Sequence, residues 1–282
     1  MSTFVDRRGT RIHYDRILPD GEPRGAVHVL HGVGEHAGRY AALLEALAGA
    51  GWAAYADDHL GHGRTGMEQH GSAELLGRLG PGGHAAAVDA AWRMSQIARE
   101  ENPGKPLVIL GHSWGSFLTQ KLVNAHPGAY DAVVLVGSSL LWPGSLNAGP
   151  LNKLWAGPNA KGNEWISEDP AVQDAAIADP LTVQQPLLKL FGLAGALALY
   201  GLPARNLPDT SVLLLVGRDD SVGGPRSVHK LAAAYRKRSG FTDVTTHVYS
   251  GRHEILNGFE QARVRADILS WLDARFPRDS SR

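Results

Sequence analysis

Short strand-like runs, several of them almost continuously apolar, alternate along this chain with segments of helical periodicity. The candidate strands cover residues 11–18, 26–31, 52–57, 107–110, 132–136, 212–216 and 244–249. Runs such as Val212-Leu-Leu-Leu-Val216 contain no polar residue at all. Strands that are apolar on both faces are typical of parallel sheets covered by helices on both sides. The pattern therefore predicts an α/β fold with a mostly parallel sheet.

Helical patterns occupy the intervals between these strands. They recur with an apolar residue at every third or fourth position and cover residues 40–50, 84–101, 115–125, 227–238 and 259–276. The first ends at Gly51 and the second before Pro103, and both residues are frequent just beyond helix ends. We expect these helices to pack on both faces of the sheet.

One long stretch, residues 141–208, breaks this alternation. It lies between two strong strand candidates and includes Trp142, Trp155 and Trp165. Connections of this length without strands are usually functional, and α/β sheets bind ligands at the carboxyl ends of their strands. The prediction is a core formed by residues 1–140 and 209–282, with residues 141–208 inserted as a cap. A purely structural excursion is the alternative.

Composition and charge narrow the function classes. The 282 residues include 28 basic and 28 acidic side chains, so the formal net charge is zero, and no broad field attracts nucleic acid. The chain has no cysteine, which removes disulfides, thiolate metal sites and cysteine nucleophiles. The sequence as given opens without the apolar segment of a signal peptide and has no apolar window long enough for a membrane span. We therefore expect a cytoplasmic protein.

A candidate nucleophile lies in Gly111-His112-Ser113-Trp114-Gly115, which fits the pattern Gly-x-Ser-x-Gly. A candidate strand ends just before it and a helical pattern begins just after it. The small residues at both ends permit a sharp turn that presents the hydroxyl of Ser113. The free N–H groups of the following helix start favour an oxyanion. Ser113 is therefore predicted as a nucleophile, with a chance match in a glycine-rich chain as the alternative.

The acid and the base of such a site follow the serine in the order acid, then histidine. Asp219 and Asp220 both come just after the strand at 212–216, and the residues alone leave the choice open. His253 follows the strand at 244–249, at the last junction before the final helix. From there an imidazole can bridge the serine and an aspartate as a general base.

An oxyanion hole needs two backbone donors, one of them from the residue after the nucleophile. That residue is Trp114. The second candidate donor is Val33, which lies between two glycines in the loop after the strand at 26–31. In the same region Glu35 and Arg39 are four residues apart, which fits a local helix ion pair as well as a substrate contact.

Taken together, these segments resemble the α/β-hydrolase superfamily, and within it the monoacylglycerol lipase or lysophospholipase-like branch. The similarity is carried, in the family's order, by the segments 31–40, 57–65, 111–115, 217–220 and 251–254. The resemblance implies an eight-stranded, mostly parallel sheet with a cap inserted after the sixth strand. It implies Val33 and Trp114 as oxyanion donors, although Trp114 stands where Met or a smaller residue is common.

The resemblance also implies a catalytic triad. Ser113 is the nucleophile, His253 the base and Asp220 the acid. Asp220 is preferred over Asp219 because the branch places Gly-x-x-Asp after this strand. No cofactor or metal is expected, since the loops that carry a cluster of six histidines are ones the family uses structurally. Those histidines are His31, His36, His59, His62, His70 and His84.

The function that the resemblance implies is a serine carboxylic-ester hydrolase that works through an acyl-enzyme. The expected substrates are monoacylglycerol- or lysophospholipid-like esters with an apolar acyl chain. The alternatives are an amidase, peptidase, thioesterase or lactonase with the same triad, or a non-catalytic ligand-binding protein on this fold. The expected partner is a small-molecule ester. An exposed apolar cap would also contact a membrane surface transiently or pair with a second subunit.

Overall fold

The computed structural model describes residues 2–147, 149–185 and 187–278, and a single sheet lies at its centre. The strands are β1 (Ser2–Val5), β2 (Arg11–Ile17), β3 (Gly25–Leu30), β4 (Trp52–Asp57), β5 (Leu107–His112), β6 (Ala132–Val136), β7 (Ser211–Gly217) and β8 (Val244–Tyr249). Their order across the sheet is β1-β2-β4-β3-β5-β6-β7-β8. β2 pairs antiparallel with β1 and β4, and all other neighbours are parallel. The predicted eight-stranded α/β-hydrolase sheet is confirmed.

Helices surround this sheet. They are α1 (Ala41–Gly49), α2 (Gly63–His70), α3 (Gly83–Glu101), α4 (Trp114–Ala125), α5 (Pro170–Ala178), α6 (Leu187–Ala198), α7 (Gly224–Ala234) and α8 (Gln261–Arg275). A π-helical turn, Tyr235–Ser239, continues α7. Gly192 interrupts α6 with a φ of 66° and a ψ of 177°. None of the helices in the described part of the chain is long and apolar enough to cross a membrane.

The central strands are buried on both faces, and successive side chains enter different cores. Ile109 of β5 belongs to a cluster with Phe117 of α4. The next residue, Leu110, belongs to a second cluster with Leu44 of α1 and Ile268 of α8. Because side chains alternate along a strand, helices on both sides are needed to cover β5. Burial on both faces of the sheet explains why the central strands are uninterrupted apolar runs in the sequence.

Outside residues 141–208, the strand β1 and the helix α2 have no counterpart among the predicted strands and helices. β1 is a four-residue edge strand whose side chains alternate between half-buried and exposed, so it leaves no apolar run. α2 is short, contains Gly63 and Gly66, and is otherwise mainly polar. Tertiary contacts hold it: a Cβ on Gly66 would come within 2.4 Å of the Gly61 backbone.

The long connection between β6 and β7 contributes α5, α6 and short helical turns, and no strand of the sheet among its described residues. It returns to the carboxyl edge of the sheet at two places. The Val183 N–H donates to the Gly34 carbonyl (2.8 Å), and the Ile166 carbonyl accepts from the Glu254 N–H (2.6 Å). The division into a core and a cap at residues 141 and 208 stays a prediction.

Trp52 gives a test of the packing beneath α8. Its side chain is fully buried, meets the Phe276 ring edge-on at 5.5 Å and lies under the Arg24 guanidinium at 5.0 Å. Trp52→Ala is expected to lower the free energy of unfolding by about 3–5 kcal/mol, because it leaves a large cavity. Urea denaturation measures the change. Trp142→Ala, at a side chain that is 52% exposed, is the control, and equal losses for both variants would contradict this account.

Candidate active site

Ser113 occupies the turn between β5 and α4 on its own. β5 ends at His112 and α4 begins at Trp114. The backbone of Ser113 has a φ of 52° and a ψ of −124°, a strained conformation that costs about 1–3 kcal/mol for a non-glycine residue. Its N–H donates to the Val136 carbonyl of the neighbouring strand (2.9 Å). The turn lifts the hydroxyl out of the strand and points the start of α4 towards it.

Two glycines make this turn sterically possible. A Cβ on Gly111 would lie 2.4 Å from Thr119 Oγ1, and a Cβ on Gly115 would lie 2.2 Å from the Leu30 carbonyl oxygen. Such separations are far inside van der Waals contact. The first and last positions of the Gly-x-Ser-x-Gly pattern are therefore fixed by close packing of β3, β5 and α4.

The structure brings His253 and Asp220 together. His253 Nδ1 lies 2.9 Å from Asp220 Oδ2, and the carboxylate can only accept, so Nδ1 carries the proton. The other oxygen of Asp220 accepts from the Val222 N–H (2.7 Å). Asp219 is exposed, and its N–H donates to the Gly251 carbonyl (3.0 Å). Of the two candidate acids, Asp220 is the one in contact with the imidazole.

The second nitrogen of His253 is free. Its Nε2 is buried and has no hydrogen-bond partner among the described residues. Because Nδ1 holds the proton, Nε2 presents a lone pair that can accept one from a hydroxyl. Ser113 and His253 are both buried, at 8% and 1% exposure. A Cβ on Gly137 would lie 3.0 Å from His253 Cε1, so the ring is packed closely against the end of β6.

The loop after β3 carries the second expected oxyanion donor. The Gly32 N–H donates to Glu35 Oε1 (2.9 Å), which fixes the loop from within. Neither the Val33 N–H nor the Trp114 N–H donates to an acceptor within residues 2–147, 149–185 and 187–278. Two unpaired N–H groups at this edge of the sheet are what an oxyanion requires.

A buried pair behind the nucleophile links this loop to His253. His112 Nδ1 lies 3.0 Å from Glu35 Oε1, and His112 Nε2 lies 3.3 Å from the His253 carbonyl oxygen. Burial alone would lower the pKa of His112, but the charge and hydrogen bond of Glu35 raise it above the ordinary value. Burial opposes the charge of Glu35, yet His112 and Arg39 hold the pKa of Glu35 well below its usual range. His112 Nδ1 also lies 2.7 Å from the Tyr40 hydroxyl oxygen.

Arg39 extends this network. Its Nη2 donates to Glu254 Oε2 (2.5 Å), and its Nε lies 3.4 Å from Glu35 Oε2. Tyr40 adds a hydroxyl that donates to Glu35 Oε1 (3.0 Å). Two carboxylates thus share one guanidinium, and one of them also contacts an imidazole, so neither buried carboxylate is left unpaired. Glu35 and Arg39 form the local ion pair that their spacing allows.

Histidines surround the indole of Trp114, which is almost fully buried. The His62 ring stacks on it at 5.1 Å, and the His59 ring meets it edge-on at 5.4 Å. The indole N–H donates to His84 Nδ1 (3.4 Å), and Phe191 of α6 lies 5.1 Å away. Burial lowers the pKa of His62 and of His84 to about 4. Both rings are therefore neutral near neutral pH, and no group of metal-binding geometry occurs among the described residues.

The family follows from a sequence profile that matches residues 21–260. The chain belongs to the Hydrolase_4 family of α/β-hydrolases, which is described as serine aminopeptidase, S33. The matched range includes Ser113, Asp220 and His253. The family predicted from the sequence is confirmed.

Relatives over nearly the full length carry lipase names. A monoacylglycerol lipase of Mycolicibacterium smegmatis is 33% identical over 281 residues, which cover 96% of this chain and 95% of the relative. The human monoglyceride lipase is 28% identical over 252 residues, or 85% of this chain and 78% of the relative. A thermostable carboxyl esterase from Bacillus coagulans, solved in complex with glycerol, shares the fold with a TM-score of 0.86, covering 98% of both chains at 23% identity.

Two contacts of the site were not predicted from the sequence. The Trp165 ring lies 5.1 Å from the His253 ring, and His112 lies 4.9 Å from it. His112 could have been noticed because it precedes the nucleophile directly. Trp165 had no such signal, since its position depends on how the long connection folds back over the sheet.

The buried histidine His62 gives a prediction for acid stability. Its pKa is about 4 in the folded chain and near 6.5 in the unfolded chain. As the pH falls between these values, only the unfolded chain binds the proton, so the free energy of unfolding falls by about 1.4 kcal/mol per pH unit. His62→Asn keeps a donor for the Leu60 carbonyl that His62 Nδ1 contacts at 2.8 Å and removes this titration.

Urea titrations of both proteins between pH 6.5 and pH 4.5 measure the effect. The variant is expected to lose stability less steeply with falling pH than the wild type. His229→Asn, at an exposed position, controls for the loss of an imidazole. Parallel stability curves for His62→Asn and the wild type would show that His62 takes up its proton in the folded chain.

Proposed function

We propose that this α/β-hydrolase cleaves the ester bond of monoacylglycerol-like substrates through an acyl-enzyme on Ser113. The enzyme is a serine ester hydrolase, as its family and its full-length relatives indicate. The observation that carries the mechanism is the His253 imidazole, which donates to Asp220 on one side and keeps Nε2 unpaired on the other. The lipase names of the relatives support the substrate class.

The reaction follows from the proton positions. As Ser113 Oγ attacks the ester carbonyl carbon, His253 Nε2 takes the hydroxyl proton. The Val33 and Trp114 N–H groups hold the resulting oxyanion. The imidazolium then gives its proton to the departing glycerol oxygen, which leaves an acyl group on Ser113. Water, deprotonated by His253, attacks this acyl-enzyme and releases the fatty acid. Throughout these steps Asp220 keeps the proton on Nδ1 and stabilises the imidazolium.

Peptide hydrolysis is the second candidate because the family description names a serine aminopeptidase. An aminopeptidase must hold the free ammonium of its substrate, and an unpaired carboxylate would serve. Glu35 and Glu254, the buried carboxylates behind the site, both contact Arg39, and Glu35 also pairs with His112. Because both carboxylates are already paired, they attract an amine weakly. The geometry favours a neutral ester over a peptide.

Residues 141–208 form, in this proposal, a cap that covers the site and meets the lipid. The support is the exposure of large apolar side chains on this segment: Leu154, Leu193 and Leu197 are 77%, 69% and 60% exposed. The last two lie on α6, which contains a single charged residue, Lys189. Such a face can enter the interfacial region of a bilayer without spanning it. The cap would then draw a monoacylglycerol from a cytoplasmic membrane surface.

A ladder of p-nitrophenyl esters from acetate to palmitate tests the substrate class, with a monoacylglycerol, a lysophospholipid and a matched anilide beside it. We expect a rate maximum at medium or long acyl chains and turnover of the monoacylglycerol. Ser113→Ala should lower kcat by about 10⁴- to 10⁶-fold, because the nucleophile is lost. Full activity of this variant would refute the mechanism. Preference for the anilide over its matched ester would favour the peptidase, and a maximum at acetate without glyceride turnover would contradict the lipid substrate.

The adjacent aspartates provide a matched pair for the role of the acid. Asp220→Asn keeps the shape of the side chain but favours the wrong tautomer of His253, so kcat should fall about 10⁴-fold. Asp219→Asn changes an exposed side chain one position away and should keep kcat within about twofold. Initial rates on a short ester measure both. A similar kcat for the two variants would remove Asp220 from the mechanism.

A further inference from the structure

The carboxylate of Glu168 lies across the loop that carries His253. One oxygen, Oε2, accepts from the Arg252 N–H (3.1 Å). The other oxygen, Oε1, accepts from the Phe259 N–H (3.1 Å). A single side chain from the connection between β6 and β7 thereby ties together the two ends of the loop at 252–259.

Two glycines of the loop pack closely against this carboxylate. A Cβ on Gly251 would lie 3.0 Å from Glu168 Oε2, and a Cβ on Gly258 would lie 2.7 Å from Glu168 Oε1. Gly251 also has a φ of 141°, which other residues rarely adopt. The loop backbone approaches the carboxylate closely at both ends. This space therefore fits a side chain with two acceptor oxygens and leaves no room for side chains at positions 251 and 258.

Donors of the loop at 252–259 also bond to backbone carbonyls of residues 164–167. The Arg252 guanidinium donates through Nη1 to the carbonyls of Glu164 (2.6 Å) and Ser167 (3.0 Å). The Glu254 N–H donates to the Ile166 carbonyl (2.6 Å). These bonds involve the residues immediately before and after His253. The base therefore lies in the middle of a double set of contacts with residues 164–168.

The imidazole itself lies between two rings. Trp165, from the connecting segment, is 5.1 Å from it, and His112 is 4.9 Å from it. The hydrogen bond to Asp220 fixes one edge of the ring, but the position of the ring relative to Ser113 depends on its backbone. A displacement of about 1 Å of a catalytic group can lower a rate about 10²-fold.

We propose that Glu168 is a positioning residue for the catalytic base. Its carboxylate holds both ends of the loop at 252–259, and this keeps His253 in reach of the Ser113 hydroxyl. The assignment rests on the proposed triad and adds a role for residues 164–168 in turnover. Glu168 acts through the backbone of the loop and does not contact the substrate.

The test compares Glu168→Ala with Asp174→Ala. Asp174 is an exposed carboxylate of the same connection that pairs with Lys161 and serves as the matched control. Rates on p-nitrophenyl acetate separate kcat from KM with a substrate too short to depend on the cap. The rate at which a fluorophosphonate labels Ser113 measures independently how well His253 activates the serine. All assays run well below the Tm of each variant, measured in parallel.

We expect Glu168→Ala to lower kcat and the labelling rate about 10- to 100-fold, with KM within twofold of the wild type and Asp174→Ala unchanged. Glu168→Gln, which retains one carbonyl oxygen for a backbone N–H, should recover part of the loss. It also serves as the test variant if Glu168→Ala does not fold.

Three results would overturn the proposal. The first is wild-type kcat in Glu168→Ala, or in Glu168→Gln where the alanine variant does not fold. The second is an equal loss of kcat in Asp174→Ala. The third is a loss that appears in KM alone. Ser113→Ala is assayed in the same series, because its full activity would refute the proposed triad. An inactive Ser113→Ala beside a fully active Glu168→Ala would refute the positioning role alone.

Discussion

The parallel pairing of β3, β5, β6, β7 and β8 is the constraint on which the site depends. Parallel neighbours end at the same edge of a sheet, so loops that are distant in sequence meet there. The loop with Val33 follows β3, Ser113 follows β5, Asp220 follows β7 and His253 follows β8. None of these residues needs a long side chain to reach another. The pairing of the strands brings these residues close together, and the short loops determine only where their side chains point.

Charged side chains are buried at this edge of the sheet, and their pairing reduces the free-energy cost of burying them. An isolated buried carboxylate would be strongly unfavourable, yet Glu35 is buried and contacts His112, the residue before Ser113. His112 and Arg39 neutralise it, and its oxygen also orders the Gly32 N–H. The network therefore joins the loop after β3 to the backbone of His253. A hydrogen-bonded network of this kind holds the loops at the site in place.

The sequence predicted those parts of the molecule that local patterns determine. The strands β5, β6 and β7 were evident because burial on both faces leaves an apolar run, and Ser113 was evident because its turn requires glycines at fixed spacing. β1 was missed because an exposed edge strand needs no apolar pattern. The choice between Asp219 and Asp220 came from family resemblance, since two adjacent residues after a strand differ only in which one turns inward. Glu168 and Trp165 had no signal, because their partners are set by tertiary folding.

The connection between β6 and β7 contacts the site at both catalytic loops. At one end of the site, Asp179 receives a hydrogen bond from His36 Nε2 (2.7 Å), and the Val183 N–H donates to the Gly34 carbonyl. At the other, Glu168 holds the loop of His253. Segments that only cover a site can vary without changing its chemistry. Here the Glu168 carboxylate bonds the loop of the proposed base, and the Val183 N–H bonds the loop of the proposed oxyanion donor. We expect substitutions that break these particular bonds to act on turnover. We expect substitutions on the exposed face of α6, which makes no such bonds among the described residues, to act on access of the lipid instead.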